Sequence, residues 1–297
     1  MNTNRARYRR FKNRIVLGTM SLAVIVCLIP LAALMTTLLS NGLGSLSWGF
    51  LRRRTEEGAG VGNAIVGSFL ILLVAAVFAV PLGLALGIYL TQRGTTRLAS
   101  ASRMLLDVLS GIPAIIVGVF IYTIVVRKSG FSLHVGFSTL AGSLALSIIM
   151  LPIFARATEE ALKAIPKTVD EAGLGLGLPR RTVVLRILIR AASPSILTGL
   201  FLALARVAGE AAPLLFTTDK SEYWPPHGVK DLAMLKPLTE PISSLPMVVF
   251  NYTTSPKPEL NAQAWGAALL LVIMVLTIRL STKAYTAWRY GGKDGHV

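Results

Sequence analysis

Apolar residues gather into six long runs, at about Ile15–Leu39, Asn63–Leu90, Met104–Val126, Ser138–Ala155, Pro194–Phe216 and Ala264–Tyr285. Each is close to the roughly 20 residues that an α-helix needs to cross a hydrocarbon core. The pattern predicts an all-α, polytopic membrane protein with six transmembrane helices. The first run follows a basic head, Arg5–Arg14. A cleaved signal peptide would carry an apolar region of only about 7–15 residues, so a retained helix is expected. Gly83 and Gly87, four apart in the second run, predict a close helix contact. The third run carries Ser110-Gly111-Ile112-Pro113, and the fourth carries Pro152 near its end.

The distribution of Lys and Arg orients these runs. With the N-terminus inside, twenty of the thirty basic residues fall on the inner side, nine on the outer side, and Arg206 lies within a run. Acidic residues lean the other way, five inside and seven outside. Both termini are therefore expected in the cytoplasm. Arg52–Arg54 stand on the minority side. The organisation that follows is a basic segment at 1–14, a membrane domain at 15–285 and a cytoplasmic tail at 286–297. Two connections are too long to be simple turns, 156–193 inside and 217–263 outside, and long ordered loops usually carry function. The outer one is rich in proline and holds an apolar stretch, Leu245–Phe250, that could dip into the interface.

Composition agrees with this reading and narrows the chemistry. More than half of the 297 residues are hydrophobic and the mean hydropathy is +0.64, more apolar surface than a soluble domain covers easily. The net charge of +16 is a topology signal, suited to anionic headgroups at the cytoplasmic leaflet, and does not call for nucleic acid. One cysteine, Cys27, leaves no disulfide framework or zinc cluster. The histidines, His134, His227 and His296, all lie outside the apolar runs. An intramembrane enzyme with a nucleophile at Gly67-Ser68 would therefore have no histidine base at membrane depth. Gly292-Lys293 has Ala287 and Asp294 where a phosphate-binding loop needs Gly and Ser/Thr. The chain is not expected to hydrolyse ATP or to bind a cofactor of its own.

The fifth run is interrupted by charge. Arg206 and Glu210 stand four apart in Leu202–Phe216, a spacing that puts both on one helical face. A charge at bilayer depth costs roughly 2.5–3.5 kcal/mol on insertion scales, and such residues usually mark a solute or ion path. The alternative is a structural ion pair. Arginine suits an oxyanion because its planar fork donates two parallel hydrogen bonds. Arg156, at the inner end of the fourth run, reads equally as a path residue or as a positive-inside flank. Asp107, near the start of the third run, reads as a cap or interface group.

The inner loop contains Glu171-Ala172-Gly173-Leu174-Gly175-Leu176-Gly177-Leu178-Pro179, a short helical segment broken by Gly177-Leu178-Pro179. It resembles the EAA loop of ABC-transporter permeases, Glu-Ala-Ala followed after three residues by Gly, with Gly173 in place of the second Ala. The text Ala205–Thr217 resembles the phosphate-uptake branch of that family, and its A-type permeases most. So do Pro81–Leu90, Ser110–Val126 and Leu151–Pro166, so that the likeness covers about residues 60–285.

The resemblance implies the MetI-like permease fold of ABC importers, in the bacterial plasma (inner) membrane. It implies a pore shared with a sister permease, two copies of an ATP-binding cassette ATPase that use ATP and Mg, and an extracytoplasmic phosphate-binding protein. It assigns Arg206, Glu210 and Arg156 to the path of inorganic phosphate, and Glu171, Ala172, Gly173 and Gly177 to coupling with the ATPase. Another oxyanion, such as sulfate or molybdate, and an added role in phosphate signalling remain as alternatives.

Overall fold

A computed structural model describes residues 3–53, 55, 60–128, 135–219 and 236–290. Among them the chain is helical throughout. The basic head does not precede the first helix but forms its first turns, since α1 runs Thr3–Ser45; Arg, Lys and Ala are good helix formers. A short α2, Trp48–Arg52, leads to α3, Gly62–Gln92. The third apolar run is two helices, α4 at Arg97–Gly111 and α5 at Ala114–Val126, the latter ending in a π-helical turn; they meet at 100°. Pro113 causes the bend, because the residue before proline is pushed out of the helical region and Ile112 is extended (ψ 128°).

The remaining elements are α6 (Thr139–Lys163), α7 (Lys167–Gly175), α8 (Arg180–Val207, π-helical over Val183–Leu188), α9 (Leu214–Thr217), α10 (Lys236–Thr239), α11 (Leu245–Thr253) and α12 (Pro258–Tyr290). Helices thus reach further into the inner loop than the apolar pattern predicts. The sequence Thr158-Glu159-Glu160-Ala161-Leu162-Lys163 continues α6 because its residues favour helix and pair across one turn.

Among the described residues five helices are long and apolar enough to cross a bilayer unaided, and there are six crossings if the bent pair α4–α5 is one span. Helix direction requires that crossing. Helices α3 and α6 run parallel: Ser143 donates to the Ile71 carbonyl near one end, and Gly87 lies against Thr158 near the other. The chain leaves α3 at the inner side, so α4–α5 must carry it back out. The contact predicted for Gly83 and Gly87 is present. A side chain at either would strike Phe154 or Thr158 of α6. The main core lies along this seam, with Ile71, Ala75, Met150 and Phe154 fully buried.

The outer loop folds back into the bundle. Leu245, at the start of α11, donates its N–H to Ser68 Oγ (2.8 Å), well down α3, while Tyr252 at the other end bonds the Gly60 carbonyl. The stretch Leu245–Phe250 is therefore a helix packed against the outer end of α3. Burial pushes the Tyr252 phenol up to about 12, so it remains a donor at any physiological pH. The stretch 220–235 of this loop, along with Arg54, the tail after Tyr290 and all three histidines, lies outside the described residues.

The backbones of α3 and the segment before α11 approach closely at Gly67. A Cβ there would sit 1.9 Å from the Ser243 carbonyl oxygen. Gly67→Ala is expected to push the segment around Ser243 off α3 and cost about 3 kcal/mol, read as thermal unfolding of the purified protein. Gly18→Ala, where a methyl meets nothing within 4 Å, should leave that unfolding unchanged.

Candidate functional site

The charge pair sits at a helix break. The sequence pattern places Arg206 and Glu210 on one continuous helix to Phe216, but α8 ends at Val207. Gly209 and Pro213 account for this: proline removes an N–H and its ring clashes with the carbonyl four residues back. Glu210 lies in the turn beyond, its N–H bonded to the Val207 carbonyl. The side chains still meet, with Arg206 Nη1 donating to Glu210 Oε1. Arg206 also stands in the last turn of α8, where unpaired carbonyls favour a cation.

Depth follows from the packing of α8 against α6. Gly199 lies on Ala157, and Val207 and Leu146 line the same small cavity. At 1.5 Å per residue, the pair is roughly 10–15 Å inside the outer end of α6, within the hydrocarbon. Arg206 is 61% exposed in the single chain, and Glu210 is 15%. The exposed face of α8 continues inward from Arg206 through Leu202, Thr198, Ser195 and Ala191. Two hydroxyl residues and a guanidinium on one stripe are a poor surface for lipid.

The structure does not bring Arg156 to this pair. Arg156 belongs to a second charge cluster, nearer the inner face. Its guanidinium bonds Asp107 and reaches the Arg103 carbonyl (3.4 Å) and Glu159 Oε2 (3.8 Å). Glu159, 1% exposed, is the centre. Its Oε1 accepts from Arg103 Nε (3.0 Å) and Nη2 (2.8 Å) and from Lys163 Nζ (2.7 Å). Arg103 also donates to the carbonyls of Gly94 and Leu90 at the end of α3. The cluster joins α3, α4 and α6. Asp107 is not at the start of a span, as its place in the third run suggested, but four residues before α4 ends. Sequence reasoning missed Arg103, Glu159 and Lys163 as partners. The spacing of Arg156, Glu159 and Lys163 on one face was readable, but Arg103 comes from 56 residues away.

The loop segment is α7. It ends in a Schellman cap: Leu178 N–H bonds the Gly173 carbonyl and Gly177 N–H the Leu174 carbonyl. Gly177 has φ +75°, a left-handed conformation that glycine adopts without strain, and Pro179 stops the helix. Gly173 does not face outward with its neighbours. It is buried, and a Cβ there would lie 3.1 Å from both methyls of Val183 on α8. The gap left by the second alanine of the motif is thus filled by Val183. Glu171 and Ala172 are exposed, as are Leu174 and Leu176. Leu176, an apolar side chain that the motif did not single out, is 80% exposed. Arg180 fixes the start of α8 through both Asp170 oxygens (2.8 and 2.7 Å) and Gln92 Oε1.

Known proteins share this architecture. The model of the family described as the binding-protein-dependent transport system inner membrane component matches residues 79–288. A phosphate transport system permease protein PstA from Yersinia pestis is 36% identical over 94% of this chain and 92% of its own length. Among solved structures, a bacterial alginate ABC transporter with its periplasmic protein aligns with a TM-score of 0.67 at 14% identity, over 97% of this chain and 99% of that one. The MetNI methionine ABC transporter aligns at 0.53 and 19% identity, over 81% and 97%. The folds agree, and the sequence match is long: the chain belongs to the family of binding-protein-dependent transport system inner membrane components, in its PstA-type branch.

Proposed function

We propose that the chain is a pore-forming permease subunit of an ATP-driven importer of inorganic phosphate. Arg206 meets the anion in transit, and α7 receives the motion of a partner ATPase. One observation carries this reading: the loop helix α7 and the charge pair are joined by a single helix, α8. At its inner end α8 forms the seat of α7 through Val183, and at its mid-membrane end it presents Arg206. A displacement of α7 reaches the charge pair along roughly 35 Å of helix.

Arg206 cannot be left facing hydrocarbon, so its exposed side is turned to a sister permease and the aqueous path between them. Its fork suits phosphate oxygens. Glu210 neutralises it when the path is empty and keeps the anion from binding too tightly for release. An ATPase pair that grips one cavity state better than the other supplies the shift. The exposed Glu171, Ala172, Leu174 and Leu176 form the surface for that grip. Specificity is set largely by the extracytoplasmic binding protein that delivers the anion. Arg156, held by Asp107 and Glu159, lines the inner part of the path and keeps α4 in place.

Arg206→Ala is expected to lower phosphate uptake at least ten-fold, since hydrogen bonds to charged groups are worth about 1.5–3 kcal/mol. Arg206→Lys should restore part of it, and sulfate uptake should be negligible throughout. Uptake would be measured in membranes where assembly is verified. Wild-type rates in Arg206→Ala would remove Arg206 from the path, and full recovery in Arg206→Lys would reduce its role to bare charge.

Gly173→Ala is expected to loosen α7 from α8 by about 1–3 kcal/mol and to reduce both uptake and ATPase co-purification. Gly173→Ala combined with Val183→Ala should recover most of the loss. If the double substitution were no better than the single, the contact with Val183 would not be the seat of coupling.

A further inference from the structure

A groove of about 520 Å³ opens at the cytoplasmic end of the bundle, where α3 meets the start of α8. Its two ends differ in chemistry. Ile88, Val184 and Leu185 form one wall, and Leu185 is half exposed although it is apolar. About four residues nearer the cytoplasm on each helix stand Arg93, Arg180 and Arg181. That offset is roughly 6 Å along a helix axis. Arg180 is compensated by Asp170. Arg93 and Arg181 are exposed and carry no ion pair among the described residues, so the rim holds two uncompensated positive charges.

We infer that this groove binds an anionic phospholipid of the inner leaflet, with the headgroup phosphodiester between Arg93 and Arg181 and the first acyl carbons on Ile88, Val184 and Leu185. The order of the two surfaces matches the headgroup–acyl boundary, and basic pockets between transmembrane helices on this side suit acidic headgroups. A free phosphate ion would use the arginines but gain nothing from the apolar wall. The exposed leucines at the C-terminal end of α7, Leu174 and Leu176, give an ATPase a separate surface outside this groove. Because Arg180 also holds Asp170 of α7, a lipid in the groove would bear on the packing of the coupling segment.

The test uses the assembled transporter, extracted from vesicles of phosphatidylglycerol in phosphatidylcholine, with retained lipid counted by native mass spectrometry. The wild type should keep phosphatidylglycerol and not phosphatidylcholine, and excess inorganic phosphate should not displace it. Arg93→Gln with Arg181→Gln should lower the affinity roughly 25-fold, about five-fold for each arginine, while Arg93→Lys with Arg181→Lys should retain most of it. Leu185→Asn should weaken lipid retention by itself. Equal retention of both lipids by the wild type would overturn the inference without any variant. So would unchanged retention in the double glutamine variant. Displacement by phosphate, with Leu185→Asn without effect, would assign the groove to a free anion. Loss of the ATPase with lipid retention intact would assign it to that subunit.

Discussion

Hydrocarbon offers no partner for a backbone N–H or C=O, so a chain can interrupt a membrane helix only where protein fills the gap. This constraint organises the molecule. Among the described residues the helices are interrupted at Ile112-Pro113, Ala208–Pro213 and Glu240–Ser244. Each is packed on the others or on the α3–α6 pair. Gly118 of α5 lies against Pro213, Ser138 bonds the Thr217 carbonyl, Thr139 bonds the Glu240 carbonyl, and Ser68 caps Leu245. The parallel seam of α3 and α6 is the fixed body that makes these breaks tolerable. Arg206 is placed at one of them because a helix end supplies carbonyls that favour a cation, which a continuous helix at that depth does not.

The two charge clusters differ in kind. Glu159 is enclosed and holds Arg103 and Lys163, with Arg156 alongside, so removing it would leave several cations without their acceptor. Buried pairs of this sort are destabilising to break although they add little when intact. Among the described residues Arg206 and Glu210 form an ion pair with each other and with no other charged side chain, and the arginine is open on one side. A cluster centred on a buried carboxylate fixes α4 against its neighbours; a pair with an open face remains able to exchange partners.

Much of this was legible in the sequence because membrane helices announce themselves through length and apolarity. The six crossings, the Gly83–Gly87 contact, the family and the pairing of Arg206 with Glu210 follow from local text. Less legible was anything decided by distant neighbours. Pro113 and Pro213 each mark a possible break, but that the two breaks are brought together, with Gly118 against Pro213, is decided by packing. The apolar stretch Leu245–Phe250 is too short to read as a span, and its place beside Ser68 is set by a bond across 177 residues. Gly173 read as a departure from a motif; Val183 beneath it supplies the reason.

The first helix carries a consequence for how the protein is made. Almost all of α1 is exposed, and it is held near its end, by Gly42 against Leu269 and by Ser45 bonded to the Ala262 carbonyl. That bond closes over 217 residues. At a ribosomal pace of about 5–20 residues per second, its partner emerges on the order of 10–40 s later. During that interval α1 must stand in the bilayer as an independent helix. Its own hydrophobic length, rather than any neighbour, has to keep it there until the last span arrives to receive it.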